Sequence, residues 1–297
     1  MVKQIKLLVF LLLLSAVCFI GCNIDLPGLV IANDLDDRLK ERDNFKFLDG
    51  KNSKGENRNW RTLNEGTDYS FIVISDTHIE NGEGLSKDKK IYLGKLADIT
   101  NNNKNIKFVV ITGDITQNAT VKDFDKFIEI ADSLGVPCYP IAGNHDVYYR
   151  DSTDKGWTKW RDIIGSTNYR IDGNSTTLFI LDTANAFFGK EQLDWLEREI
   201  NSDSIKSNVF VFAHAPLFVV GPVDMQQSTD TKERARLLSI LRDKCDIMFM
   251  GHLHKHMVNK AGGVEYLSLA SFIDESAYYV VTVSSGSVKW ERKAFEK

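Results

Sequence analysis

Pro137-Cys138-Tyr139-Pro140-Ile141-Ala142 runs directly into Gly143-Asn144-His145-Asp146. A short apolar run stopped by a polar turn reads as a buried strand and the loop that ends it. Asn, His and Asp are side chains that ligate metals or move protons. The question for the fold is whether other strands end in the same way.

They do. The apolar run 69–75 ends in Asp76-Thr77-His78, and 108–112 ends in Gly113-Asp114. Run 178–181 stops at Asp182 and 209–213 at His214, while 247–250 stops at Gly251-His252-Leu253-His254. Between these runs, residues 85–101, 124–134, 189–200 and 231–243 carry apolar side chains at helical spacing. Strand runs alternating with helical patterns predict βαβ units and a buried, largely parallel sheet. The tail, with apolar runs 278–283 and 288–290 around Ser285-Gly286, predicts a hairpin.

In such sheets, ligands bind at the carboxyl ends of the strands. Asp76, His78, Asp114, Asn144, His145, His214, His252 and His254 are therefore expected to converge on one edge. Of six histidines, all but His256 lie at strand ends. Residues two apart in an extended segment face one side, so Asp76 and His78 could touch one ion. His252 and His254 repel each other when protonated and favour a cation between them. The set mixes oxygen and nitrogen without thiolate, which suits Mn, Fe, Zn, Co or Ni and selects none of them.

The 297 residues are 43% hydrophobic and 26% charged, enough for one substantial core. The formal net charge is -4, without a polybasic run, so no specific nucleic-acid partner is expected. Lys3 and Lys6 precede an apolar run, 7–20, and then Gly21-Cys22. That pattern predicts a secretory signal, and the run is shorter than the roughly 20 residues that span a bilayer. Phe19-Ile20-Gly21-Cys22 resembles a bacterial lipoprotein lipobox, with Phe19 where Leu is usual. The resemblance implies cleavage before Cys22 and lipidation of its sulfur, hence an exported protein held on a membrane. Residues 23–66 are polar and irregular and read as a flexible tether with one short helix. Cys138 and Cys245 lie in apolar runs and are expected as buried free thiols, without a disulfide framework.

The five strand-end motifs, in this order, resemble those of the calcineurin-like metallophosphoesterases over about residues 69–256. The resemblance implies an α/β fold, a four-layer αββα sandwich of two mixed β-sheets flanked by helices. The chain then divides into a signal peptide (1–21), a lipidated N terminus and tether (22–66) and a metallophosphoesterase domain (67–297). Two metals are implied: one on Asp76, His78 and His254, the other on Asn144, His214 and His252, with Asp114 bridging. The implied reaction is hydrolysis of small phosphate mono- or diesters by hydroxide that the metals activate. His145 would stabilise charge or protonate the leaving oxygen, and Asp146 would orient His145.

Departures narrow the branch. Ala142 and Asp146 stand where protein Ser/Thr phosphatases carry Arg and Glu, and Gln117 stands where purple acid phosphatases carry Tyr. Leu181-Asp182-Thr183 and residues 189–196 look more like the bacterial cyclic-nucleotide phosphodiesterase branch, although His214-Ala215-Pro216 replaces its usual His-His-Pro. Tyr148, Tyr149, Trp157 and Trp160 are read first as core and second as a substrate wall. Two alternatives remain: a nuclease of the same fold, and a tethered binding lipoprotein with a vestigial site.

Overall fold

Runs rich in Phe, Ile and Val are buried on both faces of the central strands, and the described residues form eleven strands in all, some flanking ones with exposed faces. The computed structural model describes residues 33–80, 87–147, 156–218 and 230–296. The expected signal peptide, Cys22, Tyr148 and Tyr149 lie outside the described residues. Among the described residues, no helix is long and apolar enough to cross a membrane.

In chain order the elements are α1 (Asn33–Leu39), α2 (Lys46–Asp49), β1 (Tyr69–Ile74), α3 (Lys87–Asn102), β2 (Ile106–Ile111), α4 (Val121–Ser133), β3 (Cys138–Pro140) and α5 (Gly156–Ile163). They continue with β4 (Tyr169–Asp172), β5 (Thr176–Ile180), α6 (Lys190–Ile200), β6 (Asn208–Phe212), α7 (Thr231–Leu241) and β7 (Ile247–Met250). The last are β8 (Met257–Ala261), β9 (Val264–Ser268), α8 (Phe272–Glu275), β10 (Ala277–Ser284) and β11 (Ser287–Ala294).

One sheet has the order β11-β10-β1-β2-β3 and the other β4-β5-β6-β7-β9-β8. β1, β2 and β3 run parallel, as do β5, β6, β7 and β9; β10, β11, β4 and β8 pair antiparallel at the flanks. The sheets meet through aromatic side chains. Phe71 of β1 stacks on Phe108 of β2 and packs edge-on against Phe210 of β6, at centroid distances of 4.5 and 4.9 Å. α3, α4 and α5 contribute to the core of the first sheet, while α6 and α7 cover the outer face of the second. Two mixed sheets flanked by helices are the expected sandwich.

Element positions follow the sequence closely in the parallel strands. The tail hairpin turns at Ser285 and Gly286, whose φ values of 50° and 77° match the mirror-image turn a hairpin prefers. Cys138 and Cys245 are buried free thiols, and burial pushes both well above the usual thiol range. Trp160 is fully buried, donates from its indole to the Ser166 carbonyl and packs against Phe124, so it belongs to the core; Trp157 is buried as well.

Residues 33–66 correct the expectation of a flexible tether. Leu35, Leu39, Phe47, Leu48 and Leu63 are buried. α1 packs on α6 and α2 on α5. Thr62 bridges to Asp172 of β4, and the Trp60 carbonyl accepts from Tyr139 of β3. β3 and β4 are edge strands, so this strap covers two sheet edges that would otherwise offer unpaired backbone. Two buried ion pairs fasten it: Arg38 to Asp182 at 2.6 Å and Arg58 to Asp132 at 2.9 Å. Arg58→Ala leaves the Asp132 carboxylate buried and unpaired, and should lower the unfolding free energy by about 3–5 kcal/mol in denaturant titration. A loss under about 1 kcal/mol would mean the strap contributes little to the fold.

Candidate active site

Every metal-ligand type picked out in the sequence lies at or just beyond the C-terminal end of β1, β2, β3, β6 or β7. Three groups have donor atoms within 4.8 Å of one another: Asp76 with His78 and His254; His78 with Asp114 and His145; Asp114 with His214 and His252. Asp114 belongs to two of them. Its Oδ2 lies 3.3 Å from His214 Nε2 and 3.8 Å from His78 Nε2, and its Oδ1 accepts from the His145 backbone N–H at 2.9 Å. Asn144 Oδ1 lies 3.1 Å from His214 Nε2, which lies 3.1 Å from His252 Nδ1. His254 Nε2 lies 3.4 Å from Asp76 Oδ1.

The backbone is bent to achieve this. Asp76, His78, Asp114, His252 and His254 all have positive φ, from 39° to 72°. Left-handed backbone is unfavourable for residues with a Cβ and persists where the surroundings impose it. Glycines make room beside them: a Cβ on Gly113 would come within 2.2 Å of His214 Nδ1, and one on Gly143 within 2.2 Å of Asp114 N.

The residues fit bound cations on two counts. First, both ring nitrogens of buried His78 lack a hydrogen-bond partner among the described residues, which is costly unless something satisfies them. Second, the Thr112 carbonyl only accepts, so it holds the proton on His214 Nδ1 at 2.9 Å. His214 Nε2 then turns its lone pair toward Asp114, Asn144 and His252, and these acceptors need a cation or a proton among them.

Ionisation follows the same pattern. Burial opposes charge on His214, but the adjacent Asp114 outweighs it and raises the imidazole to about 9. Asp114 is held well below the usual carboxylate range: burial would raise it, but His214, His145 and His78 more than offset that. Burial and then His214 lower His252 to about 4. A hydrogen bond with Asp76 is the leading cause that raises His254 to about 9.

Other residues hold the ligands in place. His254 Nδ1 lies 2.5 Å from Asp274 Oδ2 on α8, a carboxylate that fixes the ring and which the sequence reading did not anticipate. Ser75 Oγ donates to Asp76 Oδ2 at 2.5 Å, and the Thr183 hydroxyl accepts from the backbone N–H groups of His214 and Ala215. Thr183 lies in the stretch that carries the branch resemblance, but sequence alone gives neither residue a role in holding a ligand.

Asp146 needs correction. Its carboxylate is fully buried and accepts from the N–H groups of Gly143, Ile115 and Thr116 and from the Thr116 hydroxyl. It ties the loop after β3 to the loop after β2. The His145 ring has another partner: its Nδ1 lies 2.9 Å from the Gln117 carbonyl. Asp146 therefore shapes the loop that carries His145 and does not itself orient the imidazole. Burial is the main cause that raises Asp146 to about 6.

With this geometry, residues 69–256 match the calcineurin-like phosphoesterase family. The chain belongs to that family and is a hydrolase acting on phosphoric ester bonds. A probable cyclic nucleotide phosphodiesterase of Fibrobacter succinogenes is 28% identical over 194 residues, covering 62% of this chain and 72% of its own. A probable glycerophosphodiester phosphodiesterase of Arcobacter nitrofigilis is 28% identical over 197 residues, covering 62% and 71%. Among solved structures, a purple acid phosphatase from yellow lupin seeds superposes with TM-score 0.62 at 15% identity, covering 77% of this chain and 52% of its own. A dimetal phosphatase from Danio rerio does so at 0.57 and 15%, covering 76% and 96%. At that identity the structures attest the fold alone.

Metal loading should release protons. His214 and His254, both raised to about 9, carry protons at neutral pH in the metal-free chain, and a cation must displace them. Calorimetric titration in buffers of different ionisation enthalpy should show net proton release at pH 7 and weaker binding as the pH falls. Uptake without proton release would contradict the assignment of these two imidazoles.

Proposed function

We propose that this protein is an exported phosphoesterase that hydrolyses small phosphate mono- or diesters with two divalent or mixed-valence metal ions drawn from Mn, Fe, Zn, Co and Ni. The observation that carries the reading is the sharing of Asp114 between clusters on its two sides. Asp76, His78 and His254 would hold one cation, Asn144, His214 and His252 the other, and Asp114 both. Such a pair, when bound, offsets the charge of a phosphate and lowers the pKa of water nearby.

The chain's own part in the reaction is positioning and proton transfer. The Gln117 carbonyl only accepts, so His145 Nδ1 keeps its proton, and Nε2, the other ring nitrogen, would pass a second proton to the leaving oxygen from the imidazolium form, which takes that proton up from solvent. His145 packs edge-on against His78 at 4.7 Å, which sets it beside the metal ligands. A diester is the favoured substrate class, since the two relatives are named for cyclic nucleotides and for glycerophosphodiesters. Ala215, small and buried next to His214, offers no side-chain donor to a cyclic nucleotide, which favours an open diester. A vestigial site is disfavoured because every expected ligand type converges. A nuclease would need a basic or aromatic surface tracking a strand, and the acidic chain offers no basic run.

The purified chain, loaded in turn with each of the five metals, should hydrolyse bis-p-nitrophenyl phosphate faster than p-nitrophenyl phosphate, cyclic nucleotide or single-stranded DNA. An absence of turnover with every metal would sink the reading. His145→Ala should keep its metal content and lose about 10²- to 10⁴-fold in kcat; unchanged kcat would remove His145 from proton transfer.

Export and anchoring rest on the N-terminal sequence. Lipidation of Cys22 would hold the chain at a periplasmic or cell-surface membrane face, with the strap beginning about ten residues later. Cys22→Ala should move the protein from the membrane fraction to the soluble fraction. Persistence in the membrane fraction would point to an uncleaved anchor helix.

A further inference from the structure

Arg38 lies in the strap, outside the family match at 69–256, yet it reaches the catalytic edge. Its Nε donates to Asp182 Oδ2 at 2.6 Å, and one Nη donates to Asp182 Oδ1 at 3.0 Å and to Asn185 Oδ1 at 2.7 Å. Asp182 Oδ1 in turn accepts from the Ala184 N–H at 3.2 Å. The turn so folded carries Thr183, whose Oγ1 accepts from the backbone N–H of His214 and of Ala215, both at 2.9 Å. From the other side, Gln192 of α6 clamps Asp182 through both its N–H and its carbonyl, at 2.8 and 2.9 Å.

We propose that Arg38 is a positioning residue for the metal-binding edge, acting through Asp182 and Thr183 to hold His214 in its ligating orientation. The inference rests on the reading of His214 as a metal ligand. Stability alone is a poor reason for this ion pair. Both partners are fully desolvated, and Arg38 Nη1 has no hydrogen-bond partner among the described residues. Apolar replacement of such a pair is often neutral or stabilising. What an apolar pair would not reproduce is the planar fork, which fixes a carboxylate in two dimensions. The second strap ion pair is an internal control. Arg58 is also buried, though less completely, and its donors end on Asp132 of α4 and the Phe47 carbonyl, without a link to any ligand residue among the described residues.

The test compares Arg38→Lys with Arg58→Lys in the full chain. Each keeps the charge and removes the fork. Cobalt(II) titration of the metal-free protein, followed by visible absorption, reads affinity, and thermal unfolding of the same samples reads the fold. Both variants should melt at lower temperature. Only Arg38→Lys should weaken cobalt binding, by about tenfold, as expected for a partner one step removed from a ligand. Thr183→Val, which removes the acceptor and leaves the ion pair intact, should weaken it similarly, and it decides the matter if Arg38→Lys does not fold.

Cobalt affinity within twofold of the native chain in Thr183→Val, or in a folded Arg38→Lys, would overturn the relay. So would an equal loss in Arg58→Lys, which would mean that the strap acts through stability alone. A native chain that takes up no cobalt would overturn the metal reading itself, and the relay with it.

Discussion

The Asp114 carboxylate lies between two histidines, with Oδ2 3.3 Å from His214 and 3.8 Å from His78, and is itself almost closed to water. A buried anion needs positive charge close by. Protonated imidazole meets that need at His214 in the metal-free chain, and bound cations would meet it better, because one would also satisfy one of the two bare nitrogens of His78. Much of the local architecture serves this one group. The loops after β1 and β2 are joined where His78 N–H donates to the Asp114 carbonyl. The loop after β3 approaches so closely that only glycine fits at position 143. Five ligand-type residues adopt left-handed backbone, a strain that the surrounding sheets must offset.

The sheets can do so because their edges are closed. β3 and β4 end the two sheets on one side, and the strap of residues 33–66 lies across both. It is held by apolar burial and by two buried ion pairs, one of which reaches the turn behind His214. The strap thus touches both the sheet edges and the turn behind His214, and it does so from outside the region shared with the family.

The catalytic edge was legible in sequence because strand ends are punctuated: an apolar run, then Gly or a carboxylate, then His or Asn. Period and punctuation are local signals, and they located the Asp, Asn and His side chains that the fold gathers at that edge. The strap carried no such signal. Its charge-rich, irregular sequence has the composition of a linker, and its anchors depend on partners 144 and 74 residues away. Asp274 was invisible for the same reason, since its role exists only once α8 stands beside His254. The family resemblance implied that Asp146, next to His145 in sequence, orients it. In the fold its carboxylate turns away to three backbone N–H groups, and a carbonyl from another loop takes the imidazole. Neighbours in sequence at a tight turn need not be neighbours in chemistry.

The most direct test is anomalous diffraction from crystals of the full chain grown with manganese or zinc. Two peaks, one on each side of the Asp114 carboxylate and both within coordination distance of it, are the predicted result. A single peak, or a pair of which one leaves Asp114 untouched, would contradict the central role given to this residue.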